Sequence, residues 1–269
     1  MKLYVEGVGL RGPGLADWMA GRKVLAGHVA YRPTELVLAA DATLPAAERR
    51  RATASVKLAI AVCSEAMIHA CARPEETPSV FSSSSGDGAT ITAILATLAT
   101  EARELSPTRF HNSVHNAPSG YWGIATHSRE ASTSLCAFDF SFAAGLLEAA
   151  SQALTAQRPV LLAAYDLPYP PPLHAVRPIA LGFGVAFVLS PQLTARSVAG
   201  LSIELTRDGA PETGMSDPVF EALRRGNPAA RSLTLLIALA AAVDQRVIIE
   251  YVAGNAVTVA VVPLLEPPA

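Results

Sequence analysis

The sequence predicts an α/β fold, a central sheet covered on both faces by helices. Three observations carry the prediction. Short runs of apolar and β-branched residues alternate along the chain with longer segments whose apolar residues recur every three or four positions. One short run, 159-PVLLAAY-165, is apolar throughout, as a central strand buried on both sides must be. The chain has 269 residues, 51% hydrophobic and only 16% charged, which is enough to close a large core.

In chain order, residues 2–8 read as the first strand and 15–20 as a short helix after a Gly/Pro turn. The segment 45–70 reads as one long helix: Pro45 suits a first turn, a charged turn follows, and apolar residues then recur at helical spacing. Residues 79–85 read as a strand ending in the loop Gly86-Asp87-Gly88, followed by a helix over 90–105, a loop over 106–119 and a helix over 119–126. A strand over 131–138 leads into a helix over 141–156 and then the central strand. The proline-rich loop 168-PYPPPL-173 precedes strands around 178–190 and 197–208. The last part reads as a helix over 230–243 and two strands, 247–252 and 256–262, joined by a hairpin turn at 253-AGN-255. The polar stretch 207–218 is a candidate linker between a region 1–206 and a C-terminal part 219–269 packed on the same core.

Composition narrows the function classes. The formal net charge is -2, with no basic excess to collect phosphates, so nucleic acid is not an expected partner. Cys63, Cys71 and Cys136 are odd in number and show no C-x-x-C spacing, the pattern of reduced, buried thiols rather than a disulfide framework. The first ten residues lack the pattern of a signal peptide. The longest apolar run, 233–243, is closed by Asp244 and Arg246 and is too short to span a bilayer. A cytoplasmic protein is expected, and its apolar excess fits a chain that buries surface against a partner.

Several motifs suggest chemistry. Gly7, Gly9 and Gly12 spell the dinucleotide string G-x-G-x-x-G, but Pro13 and Gly14 delay the helix that would meet a pyrophosphate, so a glycine-rich turn after the first strand is expected instead. His111 and His115 have the i, i+4 spacing of a zinc pair but sit among Asn, Ser and Pro with no third ligand, and no metal or cofactor is expected. The serine run 82-SSSSGDG-88 lacks the G-K-[ST] ending of a phosphate loop and reads as a strand end packed near a site. Cys136 lies before the 141–156 helix, where a strand-to-helix turn presents a nucleophile, yet only His174 follows it in the chain. Mid-strand cysteines are ordinarily core residues, so the residues alone leave Cys136 open between nucleophile and core thiol.

Taken together, these pieces resemble the β-ketoacyl synthases, the condensing enzymes of thiolase fold, over roughly residues 1–205. The resemblance rests on the helix 48-ERRRATASVKLAIAVCSEAM-67, the strand and loop 79-SVFSSSSGDG-88, the segment 107-PTRFHNSVHNAPSGYWGIA-125, and the strands 160-VLLAAYD-166 and 182-GFGVAFVLS-190. It implies a layered thiolase-like fold with the N-terminal half retained and the C-terminal half reduced. In the family the strand matching Val160 begins about 21 residues after the nucleophilic cysteine. That spacing puts Asp139 at the nucleophile position and Cys136 three residues before it. Condensing enzymes also draw histidines from their C-terminal half, and this chain has none after residue 205.

The resemblance is strongest to the short chain-length-factor proteins of aryl polyene type biosynthesis. It implies a non-catalytic subunit that pairs with an active β-ketoacyl synthase as a heterodimer, with an acyl carrier protein as a transient partner. The strand Ser132, Thr133, Ser134, Leu135, Cys136 and Ala137 would lie in the dimer interface. Pro118, Tyr121, Trp122, Phe138 and Phe140 would face the partner's acyl tunnel and limit chain growth. Two other readings stay open: a stand-alone acyltransferase using Cys136, and a structural adaptor for a carrier-protein complex.

Overall fold

The computed structural model describes residues 1–39, 41–179, 181–207 and 211–264. The expected linker 207–218 therefore falls partly outside the described residues, at 208–210, as does the end of the expected C-terminal part at 265–269. The elements run in the order β1 (Lys2–Arg11), α1 (Trp18–Leu25), α2 (Ala46–Arg51), α3 (Ala54–His69), β2 (Ser79–Ser82), α4 (Gly88–Leu98), α5 (Pro107–Asn112), α6 (Ala117–Thr126), β3 (Ser132–Leu135), α7 (Ser141–Ala156) and β4 (Val160–Asp166). They continue with α8 (Leu173–Val176), β5 (Phe183–Ser190), β6 (Ala199–Thr206), α9 (Pro218–Gly226), α10 (Leu233–Ala241), β7 (Gln245–Glu250) and β8 (Ala256–Pro263).

The strands form one eight-stranded sheet in the order β3-β2-β4-β5-β1-β6-β8-β7. β3, β2 and β4 run parallel, and every other neighbouring pair is antiparallel. The alternation of side chains along β4 shows why both faces are covered. Val160, Leu162 and Ala164 join a cluster with Phe142, Leu146 and Ala149 of α7, while Leu161, Ala163 and Tyr165 join a second cluster with Val56, Ile60 and Val62 of α3. The C-terminal strands β7 and β8 extend the same sheet beyond β6, and α10 packs on them and on α1.

The structure revises several boundaries. The helix expected over 45–70 is two helices, because Ala52 is extended and Thr53 restarts the chain by capping Val56 N. The helix expected over 90–105 stops at Leu98, the loop over 106–119 contains α5, and the strand expected around 178–190 is confined to β5. The turn at 253–255 is a short 3-10 turn, Val252–Gly254, joining the antiparallel β7 and β8.

Gly7 and Gly9 do not form a turn. They lie inside β1, where α3 crosses so closely that a Cβ on Gly9 would stand 2.0 Å from the Val62 carbonyl oxygen and one on Gly7 2.1 Å from that of Ala66. Glycine is there to admit a helix backbone, not a phosphate.

Candidate functional site at the ends of the parallel strands

Three parallel strands, β3, β2 and β4, end side by side at Leu135, Ser82 and Asp166. Ligand sites of open α/β sheets form beyond such carboxyl ends. Here the position is filled by the serine loop after β2 and the turn between β3 and α7.

The turn is built by Ser141, the first residue of α7. Its hydroxyl accepts from Ala137 N at 3.0 Å and donates to Phe138 O at 2.7 Å, while Phe140 N closes a 3-10 turn onto Ala137 O. Phe138 takes a left-handed backbone, φ +55°, which disfavours a residue with a Cβ. Arg177, just after α8, holds it from outside: its guanidinium carbon sits 3.7 Å above the Phe138 ring, and its Nη2 lies 2.6 Å from Asp139 Oδ1. Asp139 therefore stands at the tip of the strand-to-helix turn, ion-paired and partly covered.

Cys136 precedes the turn, just past the end of β3 at Leu135 rather than within a strand reaching 138, and of the three cysteines expected to be buried only Cys63 is, Cys71 and Cys136 being exposed. The Cys136 thiol donates to Ser84 O at 3.0 Å. Among the described residues no hydrogen bond joins it to a histidine; His115 instead meets Ser83 O through Nε2 at 2.9 Å. The serine loop thus has a carbonyl tied to a thiol and another to an imidazole. Its inner side is tied to Asp166, whose Oδ1 accepts from Ser83 Oγ at 3.1 Å, Ser84 N at 2.9 Å and Ser84 Oγ at 2.8 Å. Asp166 Oδ2 is buried without a hydrogen-bond partner. Burial drives the Asp166 carboxyl up to about 6, against the opposing pull of the serine hydrogen bonds and the Arg177 charge. Asn227 completes the frame: its Nδ2 donates to Asp166 O and Leu181 O, and its Oδ1 accepts from Ala229 N and Ala230 N.

Asp166, Arg177 and Asn227 are not among the site residues expected from the sequence. A signal existed for the first: an acid ending an otherwise apolar central strand, 160-VLLAAYD-166, beside a run of serines. Arg177 carried none, since it meets Asp139 from a different part of the chain.

The remaining expected residues fall in two groups. β3 is the end strand of the sheet; one edge pairs with β2 and the other has no strand partner among the described residues. Ser132 and Cys136 are exposed and Thr133, Ser134, Leu135 and Ala137 are half-buried. Phe138 is exposed and Phe140 half-buried, both at the turn. Pro118, Tyr121 and Trp122 of α6 are buried. Tyr121 and Trp122 pack in the α3 cluster, with Tyr121 Oη donating to Asn112 Oδ1 at 3.0 Å. Trp122 also borders a surface groove of about 500 Å³ that runs along α6 to Ser132. His111 lies on α5 and His115 beyond its end. Among the described residues no group of three or more His, Cys, Asp and Glu side chains is placed to hold a metal ion, and no helix is long and apolar enough to cross a membrane.

A mixed sheet sandwiched by helices, with a strand-to-helix turn at the parallel strand ends, is the architecture of a condensing-enzyme half. Comparison with known proteins agrees. The family described as β-ketoacyl synthase, N-terminal domain, matches residues 25–242, and the chain belongs to that family. A search of curated protein sequences finds no match.

Among solved structures, the chain is similar to a chain of the ketosynthase ApeO in complex with its chain length factor ApeC from Xenorhabdus doucetiae, with 21% identity, a TM-score of 0.72, and coverage of 97% of this chain and 99% of that one. It is likewise similar to a chain of the ishigamide ketosynthase/chain length factor, with 13% identity, a TM-score of 0.72, and coverage of 98% and 99%. A ketosynthase from module 1 of the bacillaene synthase of Bacillus amyloliquefaciens FZB42 is matched at 12% identity and a TM-score of 0.58, over 84% of this chain but only 50% of that one. At these identities the likeness is one of fold, and that fold is the thiolase-type fold of the ketosynthases.

Proposed function

We propose that the chain is a non-catalytic, chain-length-factor-like subunit that pairs with an active β-ketoacyl synthase and shapes its acyl tunnel in aryl polyene type biosynthesis. The turn itself is the chief support. Where a condensing enzyme of this fold needs a thiol, Asp139 presents a carboxylate already paired with Arg177. A carboxylate cannot form the acyl thioester on which condensation runs. The nearest thiol, Cys136, lies three residues early and donates to a backbone carbonyl.

Coverage of the relatives supports the same reading. Two of the chains matched over 99% of their own length belong to structures of a ketosynthase with a chain length factor and a third to a type II PKS acyl-carrier protein in complex with its ketosynthase, whereas only half of the bacillaene synthase ketosynthase is spanned. The edge of β3 that has no strand partner among the described residues offers the partner a strand to pair with, as exposed sheet edges do. An acyl carrier protein would visit the complex transiently to deliver its substrate.

The test is co-expression with a neighbouring ketosynthase, followed by size-exclusion chromatography and intact mass analysis. The expected result is a heterodimer in which only the partner is acylated and only the partner is alkylated by cerulenin. Asp139→Cys is expected to give no condensation by this chain alone, since no histidine follows residue 205 to activate a thioester. Alkylation of Cys136, with loss of an activity of the isolated chain in Cys136→Ala, would establish the acyltransferase reading instead.

A further inference from the structure

The sheet ends in two edge strands, and the chain treats them differently. β3 presents Ser132–Leu135, none of them charged, on a side with no strand partner among the described residues. β7, Gln245–Glu250, ends the sheet on the other side. There Thr213 N donates to Ile248 O at 2.8 Å, and Ile248 N donates to Thr213 Oγ1 at 2.8 Å. Alternate residues of a strand in an antiparallel pair turn their backbone groups to the same edge, so Arg246, Ile248 and Glu250 form the outward set of β7.

Thr213 belongs to the polar stretch 207–218, whose composition suggests only a linker. Between Glu212 and Asp217, in irregular backbone after β6, that stretch is anchored at four residues. Glu212 accepts from Arg224 Nη1 at 2.8 Å and Nη2 at 3.1 Å, and from Arg231 Nη1 at 2.9 Å. Thr213 holds Ile248. Met215 N donates to Glu221 Oε2 at 3.0 Å, and the Met215 side chain packs on the core. Asp217 caps α9 through Val219 N and Phe220 N.

A segment that only joins β6 to α9 has no use for bonds to the last strand of the sheet. An uncovered edge is a template for an added strand, and proteins close such edges by covering them or by setting charges on them. β7 has both. Thr213 covers its middle, and the exposed Arg246 and Glu250 stand two positions to either side of Ile248. Glu250 belongs to the same network, with Arg231 Nη1 3.8 Å from its Oε2.

We propose that Glu212–Asp217 is a strap that closes the β7 edge against strand pairing with a second copy of this chain, leaving β3 as the edge open to another chain. The inference stands without the ketosynthase pairing proposed above.

Thr213→Pro tests it, because proline has neither the N–H nor the hydroxyl that holds Ile248. Hydrogen–deuterium exchange of peptide 245–250 at low protein concentration is expected to quicken at least about 10-fold. Sedimentation over a range of concentrations is expected to show self-association at least about 10-fold tighter than in the wild type, with 245–250 protected again in the associated form. Adding Ile248→Lys should restore the wild-type sedimentation, since a lysine blunts an edge strand and Ile248 lies on the face opposite the buried Val247 and Ile249. A folded Thr213→Pro whose β7 exchanges quickly but whose sedimentation is unchanged overturns the inference. Association that protects 131–137 and leaves 245–250 exchanging also overturns it, as does association that survives Ile248→Lys. Should Thr213→Pro fail to fold, Thr213→Val decides by the same measurements, since it keeps the bond to Ile248 O and loses only the hydroxyl.

Discussion

Asp166→Asn should change how stability depends on pH. Asp166 is 2% exposed, and its Oδ2 has no hydrogen-bond partner. Its carboxyl ionises near pH 6 in the folded chain instead of the ordinary 3.8, chiefly because ionisation there leaves a buried charge. One pKa unit between folded and unfolded chain corresponds to about 1.4 kcal/mol. Ionising Asp166 therefore costs the folded state about 3 kcal/mol. The sign follows from proton binding. The folded chain holds this proton more tightly than the unfolded chain, so the stabilisation is fully present below pH 3.8 and is lost as pH rises through about 6.

Asparagine keeps an Oδ1 acceptor for Ser83 Oγ, Ser84 N and Ser84 Oγ and carries no charge at any pH. Its amide also leaves a buried donor where Oδ2 stood, a cost that does not vary with pH. Urea unfolding of both proteins from pH 4 to pH 8 isolates the effect, because every other titrating group is common to the two and cancels in the difference. The difference is expected to move in favour of Asp166→Asn by about 2.4 kcal/mol between pH 4 and pH 7, the rest of the effect lying below pH 4, and then to level off. A difference constant with pH would refute the raised carboxyl. A difference moving in favour of the wild type would mean that the serine loop and Arg177 outweigh burial.

Three further outcomes are expected. Gly9→Ala places a Cβ 2.0 Å from Val62 O and forces α3 off the sheet, at a cost of about 3 kcal/mol or more, read as a fall of about 6–12 °C in thermal midpoint. Arg224→Met removes a buried guanidinium shared by Glu212 and Glu221, which keep Arg231 and Arg225 as partners; denaturant unfolding should show a loss of about 1–2 kcal/mol. Trp122→Ala, made in the assembled complex, should lengthen the acyl product seen by mass spectrometry; unchanged length would place Trp122 in the core alone.

Much of the sheet was legible because burial writes itself into the sequence. β4 is apolar on both faces and α7 carries an unbroken small-and-apolar pattern, so both were found to within a residue, α7 at both ends. The break between α2 and α3 was not legible, because Ala52 is a good helix former and only the Thr53 cap marks the restart. The glycines of β1 misled in an instructive way. A G-x-G pattern reports only that some backbone comes close, and in this chain it is a helix rather than a phosphate.

The turn divides along the same line. Its position could be counted back from the strand at Val160 only through the family resemblance, which supplies the spacing. Its electrostatics could not, because Arg177 reaches Asp139 from 38 positions further on, past a whole strand and the proline-rich loop. The pairing also bears on why an acid is tolerated at the tip of a helix-starting turn. The helix N-terminus favours a negative charge there, and the Arg177 guanidinium adds an opposite charge beside it. A thiol at 139 would lose the ion pair and leave Arg177 stacked on Phe138, with the Asp166 carboxyl still within its field. The aspartate is thus one member of an ion pair that the fold assembles from two distant segments.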